Sequence, residues 1–319
     1  MRNCIISINI LAIFVTLINC SSSNTHLEED GAQLADSVQS AIAIESGCTS
    51  NCGFGYKSLS STSRSVEGYQ LENEPLPSWS AVKLVMVAAY IQSFVQGKTE
   101  SVAKTQWRTH EGDSLNINGC ALTRTIRQAI LDDTLVASLN DIPSCLLEKM
   151  KSRPVTGTNV LDYVRKFTST NGRVIPGFNV CGWSPGNGAP SHTTTTPDCS
   201  VENKMAPKAA VQVLSTIWTD RARFTPMKEL LLEYLTARNV AVNVGGLFSQ
   251  HPYLAYLYHK TGSVPNSSNK FSFSDMGYLI KGQCIYAYSY FDANYSDWDI
   301  GIQRRFKFWE TLKNKLCPN

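Results

Sequence analysis

Between Ala81 and Ala89 every residue is apolar except Lys83. A helix that is apolar on all sides must be buried all round, so this segment obliges the rest of the chain to enclose it and an amine along with it. The spacing predicts a helix over Ser80–Val95, with Pro75 and Pro77 breaking the chain just ahead of it. Ser80 stands one turn before Lys83, and residues three apart share a helix face. Burial disfavours a charged amine, and a neutral amine beside a hydroxyl is a base that can turn it into a nucleophile. The plain structural alternative is that Ser80 caps the helix and Lys83 reaches out to solvent.

Two further Ser-x-x-Lys strings occur, Ser101 to Lys104 and Ser267 to Lys270. The first lies in a polar stretch that reads as a solvated helix face, the second in a Ser/Asn-rich turn. Far downstream, Lys260-Thr261-Gly262-Ser263 ends a strand-like segment. Its glycine allows close approach of another backbone, and a strand edge beside a serine can offer an N–H to an oxyanion.

The 319 residues suit one large domain or two lobes sharing a cleft. With 17% charged residues and a net charge of +3, nucleic-acid binding has little support. Arg2 followed by the mostly apolar Ile5–Ile18 predicts an export signal over 1–20. That run is too short to span a bilayer comfortably, and no later segment is long and apolar enough to do so. A lipid anchor on Cys20 is the less favoured alternative, because Asn19 stands where a small residue is expected. Eight cysteines follow the signal: Cys48, Cys52, Cys120, Cys145, Cys181, Cys199, Cys284 and Cys317. In an exported chain an even set predicts disulfides, with the pairing left open. The expected location is secreted or periplasmic. Neither a metal nor a cofactor is expected.

Residues 21–45 read as a leader running into a helix with Leu34, Val38 and Ile42 at core spacing, and 46–319 as the main domain. Helical periodicity recurs over Leu122–Leu139, Val160–Phe167, Met205–Trp218 and Met227–Thr236. Gly172–Pro197 reads as a long loop. Tyr253–Tyr258, Met276–Ile280 and Cys284–Phe291 have strand composition, with a tight hairpin at Lys281-Gly282. Ile300–Leu316 closes the chain as an amphipathic helix. Helices in the middle and strands near the ends predict an α+β fold.

These strings resemble the motifs of penicillin-recognising serine hydrolases, closest to class A β-lactamases and their D,D-peptidase relatives. Ser80-Ala-Val-Lys83 and Lys260-Thr-Gly262 stand in the family's order, and His192-Thr-Thr-Thr-Thr-Pro197 with its following helix is similar to the stretch between them. The resemblance covers the chain from about Gly55 onward. It implies an antiparallel sheet flanked by helices, a helical lobe, and a site in the groove between them. It also implies Ser80 as the acylated nucleophile, Lys83 as its proton acceptor, and Lys260, Thr261, Gly262 and Ser263 as the substrate-binding edge. The Ser80 and Ser263 amides would form the oxyanion hole.

Two departures stand out. Aligned by its surrounding helix, Asp132-Asp133-Thr134 falls in the Ser-Asp-Asn place, which makes Asp132 and Asp133 the expected catalytic pair; Ser138-Leu139-Asn140 is the second choice. The loop Arg173–Pro197 contains no Glu or Asp, and Ile175 falls at the position of the family's deacylating glutamate. The expectation is therefore a monomeric, exported acyl-serine hydrolase acting on β-lactams or peptide-like amides. The alternatives are a slowly deacylating D,D-peptidase-like acyltransferase, or a non-catalytic binding protein on the same fold.

Overall fold

The computed structural model describes residues 22–318 apart from 49, 61–65, 117–119, 121–123, 158, 185–188, 195–202, 246–254, 266–270 and 296. The expected signal 1–20, Cys20, Cys199, Thr195–Pro197 and Ser267–Lys270 lie outside the described residues.

In chain order the elements are α1 (Ser22–Glu45), β1 (Cys52–Ser58), β2 (Glu67–Gln70), β3 (Leu76–Pro77), a 3-10 turn (Trp79–Ala81), α2 (Val82–Val95) and α3 (Glu100–Glu111). Next come α4 (Ile126–Gln128), running straight into a π-helical stretch (Ala129–Val136), α5 (Asp141–Lys151) and α6 (Val160–Lys166). The loop region holds four two-residue strands: β4 (Phe178–Asn179), β5 (Gly182–Trp183), β6 (His192–Thr193) and β7 (Lys204–Met205). The chain ends with α7 (Pro207–Thr219), α8 (Arg221–Gly245), β8 (Leu257–Pro265), β9 (Phe271–Lys281), β10 (Cys284–Tyr295) and α9 (Trp298–Leu316).

The main sheet is antiparallel with strand order β2-β1-β10-β9-β8, so β8 is an edge. Alternation along the strands sorts the side chains onto two faces. Met276, Tyr278, Ala287 and Phe291 join the larger core with α2, α7 and α8. Tyr286, Tyr288, Tyr290 and Leu279 face the smaller core built by α1 and α9. Val38 and Ile42 of α1 are fully buried there beside Phe308 and Leu312, so the second half of the segment read as a leader is an integral layer of the fold. This is the α+β arrangement that the sequence predicts.

α2 is buried at almost every position, as its composition requires. Its start differs from expectation. Ser80 lies inside the 3-10 turn, and α2 proper begins at Val82 with Ala81 at its N-cap. Ser80 therefore does not cap the helix. The stretch expected as one helix over Leu122–Leu139 also differs, because its second half is π-helical. One-turn π segments often mark functional sites.

Disulfides join Cys48 to Cys52, Cys120 to Cys145 and Cys284 to Cys317, and Cys181 is also disulfide-bonded. Together they fit an oxidising compartment, as for a secreted or periplasmic protein. Among the described residues no helix is long and apolar enough to cross a membrane.

Candidate active site

Lys83 points from the first turn of α2 and is completely buried. Its Nζ donates to Ser138 O at 2.5 Å, Asn140 Oδ1 at 2.9 Å and Ser138 Oγ at 3.1 Å. From the opposite side, Lys260 Nζ donates to the same Ser138 Oγ at 2.9 Å and to Thr261 O at 2.8 Å. Two amines distant in sequence thus converge on one hydroxyl.

The local backbone explains how Ser138 reaches that point. The π-helical stretch ends with Ala137 N donating to Asp132 O, and Leu139 N then turns back to Asp133 O. Ser138 between them takes φ of +59°, in the left-handed region. Non-glycine residues rarely occupy it, and those that do cluster at functional sites. Trp79, immediately before Ser80, also has positive φ, at +41°.

Ser80 is half-buried at the foot of this arrangement. The strand carrying Lys260 comes down on its backbone. A Cβ added to Gly262 would stand 2.5 Å from Ser80 N, 2.6 Å from Ser274 Oγ and 2.9 Å from Ala81 N, so only glycine lets β8 lie this close. Ser274 Oγ donates to Ser78 O, tying β9 to the turn before Ser80. Among the described residues no hydrogen bond joins Ser80 to either lysine; both amines meet at Ser138.

Desolvation dominates the electrostatics. Burial pushes the Lys83 amine down to about 7, with Asp141 opposing in part. Lys260 is held well below the ordinary lysine value by its burial first, and then by the positive charges of Arg238 and Lys83. A neutral Lys83 can accept a proton, and Ser138 Oγ can pass one along, since a hydroxyl both donates and accepts.

The structure brings Lys83 and Lys260 together on Ser138 and lays Gly262 against the Ser80 backbone, but it does not bring in the aspartates. Asp132 is exposed on the π-helical stretch. Asp133 is turned towards Arg124 Nε at 3.6 Å, its carboxyl raised chiefly by burial. Neither hydrogen-bonds either lysine among the described residues, whereas Ser138 and Asn140 do. The helix-based alignment pointed to the aspartates because it assumed regular α-helical turns. The π turn and the left-handed residue after it move the presented side chains six residues on.

His259 faces α9. It is buried edge-on to Trp309, with Nδ1 2.8 Å from Asp275 Oδ1. Ile175 is buried and apolar. Glu148 pairs with Lys151 at 2.7 Å. Among the described residues of the loop, Trp183, which sequence reasoning missed, faces Lys83. The Lys83 Nζ lies 5.5 Å from its ring centroid, and its indole N–H donates to Asn140 O at 2.8 Å. The only sequence signal was an aromatic residue beside Cys181 in a loop otherwise rich in Gly, Pro and Thr.

No family model matches the chain, and no curated protein matches it. Solved structures do. The extended-spectrum β-lactamase TLA-3 aligns with a TM-score of 0.56 at 16% identity, over 90% of this chain and 99% of its own. A class A β-lactamase from Bacteroides cellulosilyticus aligns at 0.58 and 15% identity, over 88% and 99%. A β-lactamase from Sphaerobacter thermophilus gives 0.57 and 14%, over 88% and 95%. At such identities the agreement concerns architecture: the chain has the fold of the class A β-lactamases.

Proposed function

We propose that this protein is an exported serine hydrolase of β-lactamase type that acts through an acyl-Ser80 intermediate on β-lactams or peptide-like amides. The observation that carries this reading is the convergence of Lys83 and Lys260 on Ser138 Oγ, beside a serine whose amide lies under Gly262. In the reaction, Ser80 Oγ attacks the amide carbonyl and gives its proton to neutral Lys83. The carbonyl oxygen takes up negative charge facing the amides of Ser80 and Ser263. As the C–N bond breaks, the proton passes through Ser138 to the leaving nitrogen. Lys260 and Thr261 hold the substrate's anionic end. Ser138 and Asn140 thus take the roles first assigned to Asp132 and Asp133.

A second reading, an acyltransferase of D,D-peptidase type with slow deacylation, is favoured by one observation. The hydrogen-bond partners of Lys83 are a carbonyl, an amide oxygen and a hydroxyl, with an indole above, and no carboxylate among them. Incubation with a fluorescent penicillin, followed by intact mass and peptide mapping, tests both. A covalent adduct on Ser80 supports acyl-serine chemistry, and its lifetime separates the two readings. No adduct with penicillins, cephalosporins or activated esters would instead favour a binding protein on this fold.

A further inference from the structure

We propose that Trp183 is the positioning residue that seals Lys83, and with it the acyl-serine, from water, so that an acyl group on Ser80 outlives attack by solvent. The inference rests on the acyl-Ser80 reading and concerns the fate of the ester once it has formed.

Hydrolysis of the ester would require a water brought to its carbonyl carbon with a base at hand. The water oxygen bonds to that carbon, the bond to Ser80 Oγ breaks, and one proton goes to the base while another returns to Ser80. Among the described residues, Trp183 covers the buried Lys83 amine from the loop side. Trp183 is 9% exposed and its ring stands over the amine. Indole offers a donor and no acceptor, and that donor is already spent on Asn140 O. The group facing the amine is therefore bulky, apolar and unable to act as a base.

The strap that carries Trp183 is fastened to the nucleophile's own support. β5 pairs with β6, Trp183 opposite His192. The buried His192 is bonded through Nε2 to Ser144 O at 3.0 Å, on α5 just beyond Asn140. Asn203 Oδ1 accepts from Cys181 N at 3.0 Å and from Gly182 N at 3.4 Å, while Asn203 O accepts from Ser78 N and Ser78 Oγ, both at 3.1 Å. One asparagine therefore holds both the tryptophan strap and the turn that presents Ser80. With the Cys181 disulfide beside it, the cover is built to stay in place.

The test uses the full chain and two readouts. The first is the lifetime of the penicillin adduct on the wild type, Trp183→Phe and Trp183→Ala. The second is trace acetylation of Lys83 by acetic anhydride in a Ser80→Ala background, which reports access to the amine without any acyl-serine. The expected result is a long-lived adduct for wild type and Phe, an adduct that decays at least about tenfold faster for Ala, and Lys83 acetylation at least about tenfold faster for Ala alone. If Trp183→Ala does not fold, Trp183→Leu is read in its place. An adduct on every variant with equal lifetimes and equal acetylation overturns the inference and leaves the hydrolase reading standing. If no variant is labelled, the hydrolase reading fails, and acetylation alone decides the seal: faster with Ala upholds it, and an unchanged rate overturns it.

Discussion

Lys260 Nζ lies 2.9 Å from Ser138 Oγ across 122 residues of chain, and Lys83 reaches the same oxygen from the other side. A hydroxyl flanked by two amines can pass a proton between them and a leaving group, which neither Asp132 nor Asp133 is placed to do. Ser138→Ala is therefore expected to lower the acylation rate by about 10²–10⁴, the range of a lost general acid or base. Asp132→Ala should leave it within about twofold, since substitutions away from a site and its packing are near neutral. Stopped-flow acylation by a chromogenic cephalosporin measures both. The reverse ranking would return the role to the aspartates.

The pH dependence follows from Lys83. In the folded protein its amine loses its proton near 7, against roughly 10.4 in an unfolded chain. Acylation should rise through about pH 7 as the neutral base appears. Between about 7 and about 10.4 the unfolded chain binds more protons than the folded one, so this group makes stability rise with pH across that window. Below it the full cost of burying the amine is present. Lys83→Met should flatten the slope, abolish acylation, and raise the melting temperature at neutral pH by relieving that cost. Thermal melts across the pH range check the sign, and a lowered melting temperature would show that Lys83 is stabilised as a cation.

Gly262 is the narrowest point of the site. The Cβ of Gly262→Ala would lie 2.5 Å from Ser80 N and 2.9 Å from Ala81 N, both backbone atoms that cannot step aside. Overpacking of this kind typically costs about 1–3 kcal/mol. The edge strand should lift from Ser80, so acylation is expected to fall more steeply than stability. Comparing denaturant midpoints with acylation rates separates the two effects, and a variant that acylates normally would show that β8 does not frame the oxyanion.

Much of this was legible in sequence because it depends on composition. The continuous apolar run forced α2 into the core with Lys83 inside it. The β-branched and aromatic runs gave β9 and β10, and Gly282 with φ of +59° makes their turn. Gly262 announced a close approach. What could not be read were features that depend on irregular backbone. A π turn has no period to recognise, so Ser138-Leu139-Asn140 came second to an alignment that assumed α-helical turns. The placement of Trp183 depends on a pair of two-residue strands tied down by Asn203 and His192, and no local propensity signals such a tie.

On the far face of the sheet, Asp275 sits fully buried, accepting from Trp309 Nε1 at 2.6 Å and Tyr288 OH at 3.3 Å, with His259 Nδ1 at 2.8 Å. Its charge also acts on the buried Arg238 and Arg305, and on Lys260 beside His259. Burial pushes His259 down to about 4, so at neutral pH it is uncharged and donates through Nδ1. The carboxylate thus offsets two buried guanidinium groups while satisfying three donors. Asp275→Ala would remove that charge and take the acceptor from three buried donors, and a buried donor left unsatisfied costs about 1–3 kcal/mol. Asp275→Asn keeps part of the hydrogen bonding but not the charge, so it should fall between Ala and wild type. Because Asp275 favours the charged form of Lys260, the Asn variant should also lower that lysine's proton affinity. The affinity for anionic substrates should then weaken at a lower pH than in wild type. Equilibrium unfolding of both variants, with KM for a carboxylate-bearing cephalosporin followed over pH, reads the two consequences separately. An Asn variant as unstable as Ala would show that charge, and not hydrogen bonding, is what Asp275 supplies.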